Sequence, residues 1–433
     1  MKARLFLNAS FPFEPVALRG YAAGMSDAQF MRLALRLARR GYGLTSPNPM
    51  VGAVLVKGGK IIGRGWHRRA GLPHAEVEAL QDARTRGHSA RGATLYVTLE
   101  PCSTHGRTPP CTEAVIAAGI KCVVIGATDP NPKHAGKGFK ILQRAGIEVV
   151  ALDQVRARHS GRAVSAHAKL RRAEACAACR QLTDECTKLN QAFNHWIVHR
   201  TPFISVKAAM TLDGKIATAS GESKWITGEK ARAHGMKLRQ GSDAILVGVN
   251  TILADDPSLT ARGMANTQHS TFNIERPGLR RIVVDSMART PLNAKLVSDE
   301  FASLTTIVVA KTAPKRRVAA LAKQANVLVA PFHKSEIGNR KWKIDLRWLL
   351  KRLGSQNVTS LLVEGGGEVN ASFLLGGFAQ RVAFFYAPKI LGGRDAHKAV
   401  AGEGAKSLSE ALQLRDVEWR RLGEDLLLTA RVD

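Results

Sequence analysis

YVTLEPCSTHGRTPPC, running from Tyr96 to Cys111, decides the fold of the first part of this chain. Thr94 to Leu99 reads as a strand, Glu100-Pro101-Cys102 ends it, and Cys111 to Ala118 reads as a helix. Two cysteines therefore stand where a strand stops and where a helix starts, with Ser103 to Pro110 between them. Upstream, Pro73 introduces another helix that begins near His74-Ala75-Glu76. One imidazole and two thiolates make three good zinc ligands, and a catalytic zinc keeps three protein ligands and leaves the fourth position to water. Zinc in such a site lowers the pKa of water to roughly 7. Glu76, two residues from His74, is left to move protons. A closed structural site would want a fourth Cys or His at short spacing, and His67 and His105 are not placed that way.

Working outward, Ser26 reads as an N-cap, and Phe30, Leu33, Ala34, Leu37 and Ala38 fall on one helical face closed by Gly41. Val51–Val56 and Lys60–Gly65 read as a hairpin turned by Gly58-Gly59. The next helix should face inward with Val77, Leu80 and Ala83, and Cys122–Ile125 reads as a strand. Alternating strands and helices make an α/β layer. Thiols at helix starts are favoured as thiolates by the partial positive charge there. The H-x-E and P-C elements follow the pattern of zinc nucleobase deaminases, except that eight residues separate the cysteines instead of two.

Ser46-Pro47-Asn48-Pro49-Met50-Val51-Gly52, Gly65-Trp66-His67, His74-Ala75-Glu76-Val77 and the Tyr96–Cys111 stretch together closely resemble the deaminase half of the bifunctional riboflavin-biosynthesis family, RibD. The wide cysteine gap is the specific part; cytidine and tRNA-adenosine deaminases have the short one. The resemblance implies zinc on His74, Cys102 and Cys111, proton transfer by Glu76, a base contact from Asn48, and His67 near the ribose phosphate. The family usually has a phosphate-holding histidine where this chain has Thr104; His105 and Arg107 can supply charge nearby.

Further on, Asp153–Leu182 is basic and alanine-rich, and reads as an inserted linker. A second α/β unit follows. Its strands are expected at Phe203–Val206, Asp243–Val249, Arg281–Asp285, Thr305–Val309, Asn326–Ala330 and Ser360–Val363, with a helix over Lys230–Arg239. Lys207–Lys215 (KAAMTLDGK), Ser220–Thr227 (SGESKWIT), Gly248–Pro257 (GVNTILADDP), Leu259-Thr260, Asp285-Ser286 and Val363–Gly367 (VEGGG) are weak signals singly. A glycine triplet after a strand can present backbone amides to a phosphate or be a plain turn. In this order they resemble the reductase half of the same family, a dihydrofolate-reductase-like fold without a G-x-G-x-x-G fingerprint.

That resemblance places NADPH against Ala209, Trp225, Thr251, Asp255, Ser286 and the run Gly366, Gly367, Glu368, Val369, Asn370, Ala371 and Ser372. It places substrate against Ser223, Arg239, Leu259, Arg262 and Glu364. Arg239 and Arg262 suit a sugar phosphate, and Lys207 and Glu364 suit polarising or protonating the opening ribose. The implied architecture is α/β: an N-terminal cytidine-deaminase-like three-layer domain at 25–152 and a C-terminal dihydrofolate-reductase-like domain at 189–433. An extension at 1–24 and a basic linker at 153–188 complete the chain.

The 433 residues are 45% hydrophobic, enough for packed cores, and no apolar run approaches a membrane span. The net charge of +29 is spread along the chain, and no aromatic-interleaved basic platform for single strands is visible, so nucleic acid is not the expected partner. The expected ligand is a phosphoribosyl-pyrimidine, the expected cofactors are one zinc per chain and NADPH, and the expected assembly is a dimer or tetramer. Thiolate ligands point to a reducing, cytoplasmic setting. Cys176, Cys179 and Cys186, with His159 and His167, have zinc-like spacing but no second matching pair. Two other readings stay open: a nucleic-acid base deaminase with a degenerate appended domain, and a non-catalytic RNA-binding protein on this scaffold.

Overall fold

The computed structural model describes residues 26–106, 108–154, 166–261, 278–333 and 343–432. The chain divides into two compact units, residues 1–41 with 50–190, and residues 42–49 with 191–433.

In the first unit, α1 (Asp27–Ala38), β1 (Gly52–Lys57), β2 (Lys60–Trp66), α2 (Ala75–Thr85), β3 (Thr94–Val97), α3 (Cys111–Ala117), β4 (Cys122–Ile125), α4 (Lys137–Arg144), β5 (Glu148–Ala151) and α5 (Ala166–Leu189) follow one another. Ser26 starts α1, where Gln29 Oε1 accepts from the Ser26 N–H at 2.7 Å. The five strands order as β2-β1-β3-β4-β5, with β1 antiparallel to both neighbours and β3, β4 and β5 parallel.

Strand parity makes the layers. Ala53 pairs with Gly65 and Leu55 with Gly63, so these four share one face of the sheet; Gly52 and Val54 point to the other. A Cβ on Gly52 would lie 2.0 Å from the Ala34 carbonyl oxygen of α1, and one on Gly65 2.2 Å from the Ala75 carbonyl oxygen of α2. The two helices therefore press on opposite faces, giving three layers. The inward face of α2 differs from expectation. Ala75, Ala79 and Ala83 are fully buried while Val77 and Leu80 are half-buried. Glycines at 63 and 65 let the helix backbone approach so closely that only alanines fit between. Gly65→Ala is expected to cost about 1–3 kcal/mol of stability and to displace the start of α2, lowering bound zinc. Thermal unfolding and metal analysis check this, and an unchanged midpoint would contradict the packing.

The stretch read as a linker behaves differently. Its described part includes α5, whose Cys179, Leu182 and Cys186 are buried in the first unit's core, and a Cβ on Gly126 would meet Cys186 Sγ at 2.3 Å. The helix docks because its sparse apolar residues at 179, 182 and 186 fall on one side. Burial pushes the Cys186 thiol up to about 12, so it is a packed thiol, not a thiolate ligand. The side chains of Cys176 and His167, and all of His159 and residues 1–25, lie outside the described set.

The second unit contains α6 (Gln191–His199), β6 (Phe203–Thr211), β7 (Lys215–Ala217), α7 (Glu229–Gln240), β8 (Ala244–Gly248), α8 (Val249–Asp255), β9 (Arg280–Val284), α9 (Lys295–Ser298), β10 (Thr305–Ala310), α10 (Lys315–Ala322) and β11 (Asn326–Ala330). It continues with β12 (Phe332–His333), β13 (Lys343–Ile344), α11 (Leu346–Ser355), β14 (Ser360–Val363), α12 (Gly367–Leu374), β15 (Arg381–Ala387), β16 (His397–Lys398), β17 (Leu414–Leu422) and β18 (Asp425–Val432). Nine strands order as β11-β10-β9-β8-β14-β6-β15-β18-β17, parallel from β11 to β15 and antiparallel beyond. The six expected strands are present, and β15, β17 and β18 extend the sheet past them.

Neighbouring strands β8 and β14 send their helices to opposite faces. Ile252 of α8 packs with Ile245 and Val247, whereas Phe373 of α12 packs with Leu246 and Val363. Such a divergence opens a crevice at the carboxyl ends of parallel strands, where ligands of open α/β sheets bind.

Candidate active sites

In the first unit, three elements bring their ends together. His74 is the N-cap of α2, Cys111 is the first residue of α3, and Cys102 follows the exit of β3. His74 Nδ1 lies 3.2 Å from Cys111 Sγ and 3.5 Å from Cys102 Sγ, and the Cys111 N–H donates to Cys102 Sγ at 3.3 Å. All three ligand atoms fall within 4.8 Å of one another. Around a tetrahedral zinc the N-to-S edge is about 3.5 Å from the ordinary bond lengths, so the trio fits that metal. The hydrogen bond from the Cys111 thiol pulls Cys102 down to about 4 against the opposing effect of burial, while the same bond and burial push Cys111 up. A buried pair sharing one proton beside an imidazole is a donor set suited to a soft divalent cation.

Glu76 sits in the first turn of α2, 3% exposed. Burial pushes its carboxyl up to about 7, helped by the Cys102 thiolate. That is the range in which a carboxyl exchanges protons near neutrality. His67 is also buried; its Nδ1 is 3.1 Å from the Pro73 carbonyl oxygen and its ring stands edge-on to His74 at 5.1 Å. Burial lowers it to about 4, so at neutral pH it carries no charge for a phosphate.

Thr104 and His105 are exposed in the loop between the cysteines. Thr104 Oγ1 lies 3.4 Å from His134 Nδ1, and His105 Nε2 lies 3.9 Å from Glu113. Arg107 lies outside the described residues. Asn48 belongs to the 42–49 stretch that groups with the second unit, where its N–H donates to the Thr45 carbonyl at 2.8 Å. Sequence reasoning missed Glu100 and the loop after β4. The signal for that loop was available in Asp129-Pro130-Asn131-Pro132, a turn-rich run just beyond a strand end.

In the second unit, Val206 pairs with Val363, which sets Lys207 beside Glu364 where β6 and β14 part. Lys207 Nζ is 3.6 Å from Glu364. Arg239 of α7 forks onto the same carboxylate, with Nε at 2.9 Å and Nη2 at 2.8 Å, and gives Nη1 to the Thr260 carbonyl at 3.1 Å. Burial alone would raise Glu364, but Lys207 and Arg239 outweigh it and hold the carboxylate at about 2. Glu364 is thus an anion at neutral pH and cannot donate the proton assigned jointly to it and Lys207. Arg239 is committed largely to Glu364, which is not the open phosphate clamp expected.

Gly366 caps α12, and a Cβ placed on it would meet open space. Val369 fills the gap between Gly365 and Gly248, joining the starts of α12 and α8. Asn370 is fully buried; its Nδ2 donates to the Ala399 carbonyl while Oδ1 has no protein partner. Asp285 is likewise buried, with Oδ2 taking the Thr290 N–H and hydroxyl and Oδ1 left over. Ala371 is buried, Gly367 and Glu368 lie in the first turn of α12, and the Ser372 hydroxyl turns back to the Glu368 carbonyl. Ser286 accepts from the Ala310 N–H, and Thr251 lies on α8. The Ser223 hydroxyl donates to Asp255 at 3.2 Å, beside Lys224 at 3.3 Å. Trp225 is 67% exposed with Arg232 over its ring at 4.7 Å, and Ala209 is half-buried two residues along β6 from Lys207. Leu259 is buried with φ of 49°, and Arg262 lies outside the described residues. Open space at Gly366, the N-cap of α12, and a crevice at the strand ends fit an extended phosphate-bearing cofactor.

A zinc-binding deaminase domain followed by a dihydrofolate-reductase-like domain is the class these two sites define. Comparison with known proteins narrows it. The family described as "RibD C-terminal domain" matches residues 202–428, more than half of the chain, and "Cytidine and deoxycytidylate deaminase zinc-binding region" matches residues 25–127. Riboflavin biosynthesis protein RibD of Actinobacillus pleuropneumoniae is 40% identical over 404 residues, covering 93% of this chain and 95% of that protein. That of Escherichia coli K12 is 38% identical over 407 residues, covering 93% and 99%. Among solved structures, Acinetobacter baumannii RibD superposes with a TM-score of 0.75 at 33% identity over 94% of this chain and 99% of that one. A Thermotoga maritima diaminohydroxyphosphoribosylaminopyrimidine deaminase/5-amino-6-(5-phosphoribosylamino)uracil reductase gives 0.72 at 32% identity over 94% and 98%. The chain belongs to the RibD family, and is a bifunctional deaminase and reductase of riboflavin biosynthesis. No described helix is long and apolar enough to cross a membrane.

Proposed function

We propose that the first unit hydrolyses the 2-amino group of 2,5-diamino-6-(5-phosphoribosylamino)pyrimidin-4(3H)-one, and that the second reduces the ribosyl group of the product to ribityl with NADPH. The observation that carries this reading is a buried Glu76 in the first turn of α2, whose N-cap His74 joins Cys102 and Cys111 in the donor trio. One zinc per chain is proposed on that trio. When bound it supplies a Lewis acid that makes water nucleophilic near neutral pH. Glu76 takes a proton from the attacking water and returns it to the departing amino nitrogen, so water is consumed and ammonia released. His67, neutral and packed against His74, orients the ligand side chain and carries no phosphate charge.

In the second unit, Gly366–Ser372 with Ala209, Trp225, Thr251, Asp255 and Ser286 are proposed to hold NADPH, which supplies the hydride when bound. The hydride goes to ribose C1′, the C1′–O4′ bond breaks, and a proton goes to O4′. Lys207 is the donor, because Glu364 is held as an anion. Arg239 orients Glu364, and Ser223, Leu259 and Arg262 line the substrate, with Arg262 taking the sugar phosphate. A cytoplasmic location and a dimer or tetramer are proposed with the same reading, the assembly to be checked by sedimentation.

A coupled assay tests it. With the diaminopyrimidine substrate, purified protein should release ammonia and then consume NADPH in equal amounts, with zinc present in the same sample. Ammonia without NADPH loss would remove the reductase assignment; neither would remove both.

A further inference from the structure

We infer that His134, with Thr104, binds the phosphate of the deaminase substrate; this rests on the deaminase reading above. Thr104 stands two residues after the ligand Cys102, on the loop that bounds the donor trio. Its hydroxyl meets His134 Nδ1 at 3.4 Å, across thirty residues of sequence. When Nδ1 accepts from the Thr104 hydroxyl, the ring proton is on Nε2, which can donate to a phosphate oxygen, and Thr104 serves by orienting the ring.

The meeting is built into the fold. Glu100, next to Pro101-Cys102, is buried and accepts three backbone N–H groups from the loop carrying His134: Asp129 at 3.1 Å, Gly136 at 3.0 Å and Gly138 at 2.9 Å. A Cβ on Gly138 would lie 2.5 Å from the Pro101 carbonyl oxygen, so the two loops touch backbone to backbone. One carboxylate therefore registers the histidine loop against the residues leading into the zinc ligand. The histidine loop also carries Lys133 and Lys137, both exposed, and one carboxylate, Asp129. The two exposed lysines give this end of the site positive charge, which suits the phosphate end of a phosphoribosyl-pyrimidine.

The full-length, zinc-loaded protein tests this by separating KM from kcat in ammonia release. His134→Ala should raise KM for the phosphoribosyl substrate about tenfold, roughly 1.4 kcal/mol, with kcat within about twofold. Competitive inhibition by inorganic phosphate should weaken by about the same factor. His134→Lys keeps a hydrogen-bond donor for the phosphate at the same position and should hold both constants within about threefold of the parent. An unchanged KM in His134→Ala, or an equal loss in His134→Lys, overturns the inference. No ammonia release from the parent protein would overturn the deaminase reading instead. NADPH oxidation on the deaminated substrate should be unchanged in both variants and reports that the second unit is folded; zinc content equal to the parent's reports that the first is.

Discussion

Replacing Glu76 by Gln is expected to cut ammonia release by about a thousandfold, within the range general acid–base catalysis supplies. The variant keeps the size of a side chain that is 3% exposed in the first turn of α2, so helix and donor trio should hold. What it loses is the carboxyl whose buried setting puts it at about 7. Zinc content per chain should match the parent, because the proposed ligand atoms are those of His74, Cys102 and Cys111, which the substitution leaves in place. NADPH oxidation on the deaminated substrate should also match, because it belongs to the other unit. Initial rates of ammonia release with metal analysis of the same sample decide the matter. Turnover within tenfold of the parent would remove Glu76 from the proton transfer.

Replacing Glu364 by Gln should abolish reduction and destabilise the second unit. The carboxylate is the shared counter-charge of Lys207 and Arg239, and without it two cations face each other in a largely buried place. Removing one partner from such a cluster costs about 3–5 kcal/mol when fully buried, and about 2–4 kcal/mol is expected here because Lys207 is partly exposed. The parent should show the same dependence through pH. Glu364 is held at about 2 against an ordinary value near 4.5, so its contribution is complete above about 4.5 and fades as pH falls toward 2. That shift corresponds to about 3 kcal/mol. The melting-temperature difference between parent and Glu364→Gln should therefore be large at pH 7 and shrink by pH 3. A difference independent of pH would show that the charge is not what Glu364 contributes. Reduction is lost because Lys207 and Arg239 no longer have the anion that fixes them.

Much of the first unit was legible because its information is local. A strand end, a helix start and an eight-residue gap specify Cys102 and Cys111, and an N-cap position specifies His74, whatever lies beyond. The glycines at 63 and 65 were visible too, but their effect on α2 was not, since it depends on which helix crosses them. The burial of α5 was hidden by its composition, in which a few apolar side chains on one face suffice to dock a mostly polar helix. Strand β17 gave little signal because almost its whole length is exposed.

By itself the sequence determined the order of the two halves and the family to which they belong, and it singled out the proposed metal donors and the proposed proton-transfer carboxyl, because each depends on residue type at short spacing. Only the tertiary structure decided that Lys207 and Arg239 converge on Glu364 and hold it ionised, that His67 is neutral, and that His134 meets Thr104. Those facts arise between segments far apart in the chain, brought together by strand register and helix packing. A side chain's charge state is set by the neighbours and the burial it finds there.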